Sequence, residues 1–239
     1  MKIEYRIKGN DLVDPENDFV RVPAVPAPWN LSGRGFMVLY KFNREFLKEK
    51  AFLPPDGEMA PAGGLGALMI VDYASSDAGP YSELLFIPGK VHVSGGRWHR
   101  ITKIYVSTME SVLNGRKNWA IPKEPATFHF SKKDNLESIE VANGEGTFFQ
   151  TDIKVCGPRF PVSTKLLPFP LMQGHAGSYL QTSFSGSGWG RLASIRSIQA
   201  EQKYFPNLQG VRPLIAVYID PFKIVFPQAR SIGASRQKS

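Results

Sequence analysis

Apolar and polar positions alternate in short runs along most of this chain, the period of half-buried strands. Such runs occur at Gly35–Phe42, Ala67–Tyr73, Tyr81–Ile87, Ile101–Val106, Ala126–Phe130, Leu136–Val141, Phe148–Val155, Tyr179–Phe184, Arg191–Ile198 and Leu214–Ile219. Asn143-Gly144 gives a tight-turn signal between two of them. Helical signals are fewer. Asn43 to Lys50 fits a short helix capped by Asn43, with Phe46 and Leu47 inward and Pro54-Pro55 beyond its end. Ser107-Thr-Met-Glu110 reads as a capping box with Ser107 as the cap. Met109, Val112 and Leu113 give that helix an apolar side, and Gly115 is expected to end or loosen it. One well-signalled helix amid nine or ten strands, without βα alternation, predicts an α+β, mainly β fold: a closed or strongly curved antiparallel sheet with short peripheral helices.

Residues 1–32 are rich in Pro, Asp and Asn and read as an irregular arm packed on the body, anchored by Trp29. Residues 33–239 read as a single domain with no internal repeat or linker. A hydrophobic content of 42% supports a sizeable core, while 22 Gly and 19 Pro fit many turns and not a helical bundle. The lone cysteine, Cys156, excludes an internal disulfide and a cysteine-rich zinc site. The N-terminal residues lack a signal-peptide pattern, and no run approaches the roughly 18 apolar residues of a membrane span. A soluble, cytoplasmic protein with no membrane partner is expected. The net charge of +8 is scattered in short groups, without a zinc-finger or RNA-binding signature, so nucleic acid is not the expected partner.

Chemistry concentrates at Asn114-Gly-Arg-Lys-Asn-Trp-Ala-Ile-Pro-Lys-Glu-Pro125. Pro122 restricts the chain on either side, so Lys123 leaves the helix after an apolar Trp119-Ala-Ile121 step. Burial there would disfavour the ammonium form and leave an amine able to form an imine. Glu124 works in the opposite direction if it contacts the amine. In Tyr81-Ser-Glu-Leu-Leu-Phe-Ile87, alternation puts Glu83 on one face with Leu85 and Ile87, a costly place for a charge unless it is paired or functional. His92, His99, His129 and His175 have no compact metal-ligand spacing, so no metal or other cofactor is expected. Gly186-Ser-Gly-Trp-Gly190 lacks a phosphate-loop lysine and reads as a turn or barrel rim, with Trp189 in the core.

Gly115-Arg-Lys-Asn-Trp-Ala-Ile-Pro-Lys123 resembles the glycine-arginine to proline-lysine segment of the acetoacetate decarboxylase family, and Gly79-Pro-Tyr-Ser-Glu-Leu-Leu-Phe-Ile-Pro88 resembles its preceding glutamate-bearing strand. The order and spacing agree, and the likeness extends weakly from Arg34 to Ala229. The resemblance implies a cone-like antiparallel β barrel with its pocket inside, and self-association into a homo-oligomer. It implies Lys123 as the Schiff-base lysine, Glu83 as its catalytic partner, and Arg34 and Arg116 as substrate-binding residues. The activity implied is carbon–carbon lyase chemistry on a small keto acid or related carboxylate, decarboxylation first. Aldolase-dehydratase chemistry and a noncatalytic small-molecule-binding barrel are the alternatives. Two departures from the family pattern stand out: Glu124 stands where the family has a second lysine, and the family's second acidic position falls near Leu68, with no carboxylate there.

Overall fold

The computed structural model describes residues 2–6, 19–53, 60–93, 95–166, 168–175 and 178–233. Pro54 and Pro55 lie outside them. Ten strands form one sheet in the order Lys123–Pro125, Lys103–Val106, Tyr81–Ile87, Gly66–Ser75, Trp29–Tyr40, Ile215–Phe226, Ser185–Ala200, Gly146–Ser163, Leu136–Asn143, Thr127–Lys133. All neighbours are antiparallel except the pair joining Lys123–Pro125 to Lys103–Val106. The sheet is strongly curved. Tyr105 and Phe148 sit on strands far apart in its order, yet their ring centroids are 4.6 Å apart. The curl encloses a core of Phe36, Val38, Leu68, Ile70, Leu84, Phe86, Ile139, Val141 and Phe149.

The other face of the same strands carries a second core, including Leu31, Val71, Leu85, Ile87 and Ile104. It is covered by the helix Met109–Trp119 and, through Leu171, by a six-stranded sheet built from Arg230–Gly233, Ser178–Thr182, Leu171–His175, Gly96–His99, Lys90–Val93 and Pro61–Gly63, which has a small core of its own around Val91, Val93 and Met172. Register shifts at Ser32/Gly33, Ile219/Phe222, Gly188/Gly190 and Cys156/Phe160 fall on four neighbouring strands. Bulges bend strands and increase their twist. Beyond this line the strand ends turn to wall the second core, and Leu31, Phe222, Ile224, Gly186 and Val162 all face its cavity. The bend requires close approach: a Cβ on Gly188 would stand 2.6 Å from the Pro221 carbonyl oxygen.

The described N-terminal residues are more regular than the sequence suggested. Lys2–Arg6 pairs antiparallel with Phe19–Pro23. Trp29 starts the strand Trp29–Tyr40, so the expected boundary after residue 32 falls within a strand. Asn114 Oδ1 accepts from Val25 N at 2.7 Å, and Asn118 Nδ2 donates to the Val25 carbonyl at 2.8 Å.

Two local expectations shift. Arg44–Glu49 is helical with Asn43 Oδ1 accepting from Phe46 N at 2.8 Å, as the pattern predicts. The second helix starts one residue later than the capping box implied: Thr108 is its cap, while Ser107 Oγ accepts from Ser82 N at 2.8 Å. Gly115 neither ends nor loosens this helix, which runs to Trp119 and closes on Ala120 in the left-handed conformation. Trp189 is not in the core. It is about half exposed, with the Arg159 guanidinium 5.8 Å from its ring. Gly186 and Gly188 lie within a strand and not a turn. Among the described residues no helix is long and apolar enough to cross a membrane.

Candidate active site

The left-handed Ala120 reverses the chain after the helix, and Lys123–Pro125 returns as an edge strand with Lys123 in register with Ile104. Arg116 Nε donates to the Lys123 carbonyl at 2.7 Å, fixing that return from the helix side. The Lys123 side chain then crosses the helix at Gly115, where an added Cβ would stand 2.7 Å from Lys123 Cδ and 2.8 Å from Cε. Glycine is therefore at this position for space. A side chain there would occupy the lysine's path.

Lys123 Nζ ends in a closed polar cluster. It donates to Ser111 Oγ at 2.9 Å, Glu83 Oε2 at 3.1 Å and Tyr81 OH at 3.4 Å. Tyr73 OH donates to the other Glu83 oxygen at 3.3 Å. The two charged residues are 3% and 5% exposed, so water screens their ion pair little. Burial lowers the lysine's pKa from its ordinary value, and the opposing pull of Glu83 does not restore it. Burial foremost, with the Glu83 charge next, raises both tyrosines well above their usual value, so their hydroxyls stay protonated and able to donate.

The cluster opens on a cavity of about 170 Å³ whose wall is otherwise almost wholly apolar. It lies on the curved sheet's second face, closed by Trp119 at the helix end, by Phe169 and by Leu171 of the six-stranded sheet. The resemblance put the pocket inside the barrel. The structure fills the inside of the curl with close-packed aromatic and aliphatic side chains and puts the cavity on the opposite face. Leu68 belongs to that packed interior, while the adjacent Met69 lines the cavity, so no carboxylate from this part of the strand faces Lys123.

Glu124 points away from the amine, as alternation along a strand requires. It pairs with Lys103 at 2.9 Å. Its charge therefore does not set the state of Lys123. Glu124→Gln is expected to leave the pH dependence of any Lys123 reaction within about 0.3 unit of the parent, a shift near the small worth of exposed pairs, as measured by lysine-labelling rates across pH.

The structure brings Lys123 and Glu83 together. It does not bring the two arginines to the cavity. Arg34 lies on the opposite face of its strand, 3.3 Å from Asp72 and 3.2 Å from Glu137, near the Phe130 ring. Arg116 holds backbone. Ser111, Tyr81 and Tyr73 were missed from sequence, though signals for two of them existed. Tyr81 shares the Glu83 face by the same two-residue period, and Ser111 stands one helical turn before Gly115. Among the described residues no group of three or more His, Cys, Asp or Glu is placed to hold a metal.

Comparison with known proteins agrees with this architecture. Residues 15–169 match the family model described as acetoacetate decarboxylase (ADC), well over half of the 239 residues, and the chain belongs to that family. Among solved structures, acetoacetate decarboxylase from Legionella pneumophila matches with a TM-score of 0.65 at 13% identity, covering 87% of this chain and 88% of that one. An acetoacetate decarboxylase-like enzyme from Sphingomonas wittichii RW1 matches with a TM-score of 0.59 at 12% identity, covering 87% and 94%. The enduracididine biosynthesis enzyme MppR, complexed with pyruvate, matches with a TM-score of 0.54 at 15% identity, covering 86% and 90%. At these identities the likeness concerns the fold. Protein NEOXANTHIN-DEFICIENT 1 of Oryza sativa subsp. japonica is 28% identical over 113 residues, 46% of this chain. Its counterpart in Solanum lycopersicum is 31% identical over 108 residues, 44% of this chain. The matched stretch spans only 37% and 35% of those relatives' own lengths.

Proposed function

We propose that this protein is a Schiff-base-forming carbon–carbon lyase that decarboxylates a keto acid through Lys123. The observation that carries this reading is a fully buried lysine amine, its pKa lowered by desolvation, sharing one apolar cavity with a single carboxylate at 3.1 Å. Two apolar side chains serve a core as well as a buried ion pair does, so packing alone does not call for these charges. Placing the pair at a cavity wall with three hydroxyls around it suits a reaction.

The sequence of steps balances with groups in the cavity and water. The Lys123 ammonium lends a proton to Glu83, the freed amine attacks the keto carbon, and the proton returns to the departing hydroxyl, which leaves as water while the nitrogen remains protonated as an iminium. The bond to the carboxylate then breaks, its electron pair passing into the carbon–nitrogen double bond, which releases carbon dioxide and leaves an enamine. Glu83, reprotonated by a proton from solvent water and oriented by its hydrogen bond from Tyr73, is assigned the proton delivered to the enamine carbon. Hydrolysis of the resulting imine returns the amine and a ketone. The apolar wall favours the middle step, because carboxylate charge is dispersed as the bond breaks. Ser111 and Tyr81 orient the amine. Arg116 is a positioning residue acting through the Lys123 carbonyl, and the positions of Arg34 and Arg116 lend no support to direct contact with a substrate carboxylate.

Borohydride reduction in the presence of candidate keto acids, with mass mapping, tests the reading. A substrate-dependent adduct on Lys123 is expected, and its absence across a broad panel would overturn the mechanism. Glu83→Gln separates the two roles of the carboxylate. Glu83 favours the ammonium, so its removal lowers the amine's pKa further and moves the rise in adduct formation to lower pH. Turnover should nonetheless fall about 100-fold, the low end for loss of a proton donor. Adduct yield and ketone release measured across pH distinguish the effects.

A further inference from the structure

Two files of aromatic rings leave the amine. In one, Trp29 stands 5.8 Å from Lys123 Nζ, Trp119 4.9 Å from Trp29, Phe226 4.8 Å from Trp119, and Phe184 5.6 Å from Phe226. In the other, Tyr81 stands 4.8 Å from the amine, Tyr73 4.6 Å from Tyr81, and Phe222 5.7 Å from Tyr73. Ile219 and Ile224 face the same cavity. Lys123 and Glu83 are the only charged residues on the described wall, so a second charged group on a substrate would meet no counter-ion. Exposure grades along the cavity. The Lys123 end is buried, whereas Ser163, Thr164 and Phe184 are half-buried and Ser187 is exposed. A ligand therefore enters past the hydroxyl-bearing rim and runs along the rings to the amine.

We propose that the cavity selects a keto acid whose remaining part is an uncharged hydrocarbon chain, bound with its carbonyl at Lys123 and its chain along the Trp29–Trp119–Phe226–Phe184 file. This selectivity rests on the Schiff-base reading for the reacting end only; the apolar wall acts on the chain whether or not an imine forms. Each methylene placed against the wall tightens binding by about fourfold. A second carboxylate at the chain end is rejected, because it would be desolvated without a partner.

The test uses the intact protein with 3-oxobutanoate, 3-oxohexanoate, 3-oxooctanoate and the dicarboxylate 3-oxopentanedioate in the borohydride assay. Calorimetric binding of 2-butanone, 2-hexanone and 2-octanone runs alongside. Half-saturation should fall about fourfold per methylene in both series, and 3-oxopentanedioate should give no adduct. Phe184→Arg, at the half-buried end of the file, should flatten the chain-length series, while an unchanged melting temperature shows intact folding. Adducts without a chain-length trend, or equal trapping of the dicarboxylate, would overturn the chain selectivity and leave the Schiff-base reading standing. Chain-dependent binding of the ketones with no adduct from any acid would support the selectivity and overturn the Schiff-base reading.

Discussion

Lys123→Met should abolish every borohydride-stable adduct and also lower stability by about 3–5 kcal/mol, the cost of leaving a buried charge without its partner. Glu83 is 5% exposed, and its Oε2 is held by the lysine. With a thioether in place of the amine, the carboxylate must be protonated or drag water into an apolar wall. The double replacement Lys123→Met/Glu83→Met removes both charges and should recover most of the loss, because apolar side chains can replace a buried pair at little net cost. Denaturant midpoints of the parent, both single variants and the double variant form the required cycle. A single variant as stable as the parent would mean that the two groups are not an ion pair in solution.

Gly115→Ala should separate activity from stability. In an exposed helix interior this change stabilises by about 1 kcal/mol. Here the new methyl would stand 2.7 Å from Lys123 Cδ, closer than real Cβ contacts, and the flexible side chain must yield before the helix does. A displaced amine loses its set of contacts at 2.9, 3.1 and 3.4 Å. Misplacement by about 1 Å costs on the order of 100-fold in rate. A fall of that size in adduct formation, with the melting temperature within a few degrees of the parent, is the expected outcome. Parent-like trapping would show that the lysine does not reach the cavity across Gly115.

Gly115 also shows where local sequence misleads. A glycine after a short amphipathic run is commonly a helix stop. Its actual reason for being glycine is a side chain eight residues later that returns over the same turn. Glu124 misleads similarly: adjacency in sequence suggests an electrostatic opponent to Lys123, while strand alternation sends it to Lys103. Arg34 sits on a strand whose other face lines the cavity, and one residue of register decides which side an arginine serves. The opposite holds for Glu83. Period-two alternation placed it on an apolar face, and the structure pairs it there with the amine.

The sequence by itself determined the fold class, the two helices and most strands of the larger sheet, but only Ser178–Thr182 of the smaller one. Strand alternation, the Asn43 cap and the Asn143-Gly144 turn are local signals, read by interactions between residues only a few positions apart. It also singled out Lys123 and Glu83, chiefly through the two segments that resemble the acetoacetate decarboxylase family. Only the tertiary structure decided that these two meet, 40 residues apart, at 3.1 Å. It also decided that the cavity lies outside the packed curl and that no arginine lines its described wall. Those facts depend on which sheet face is covered by the helix and second sheet, and on a line of bulges across four strands. Both are set by long-range packing, which no short window of sequence records.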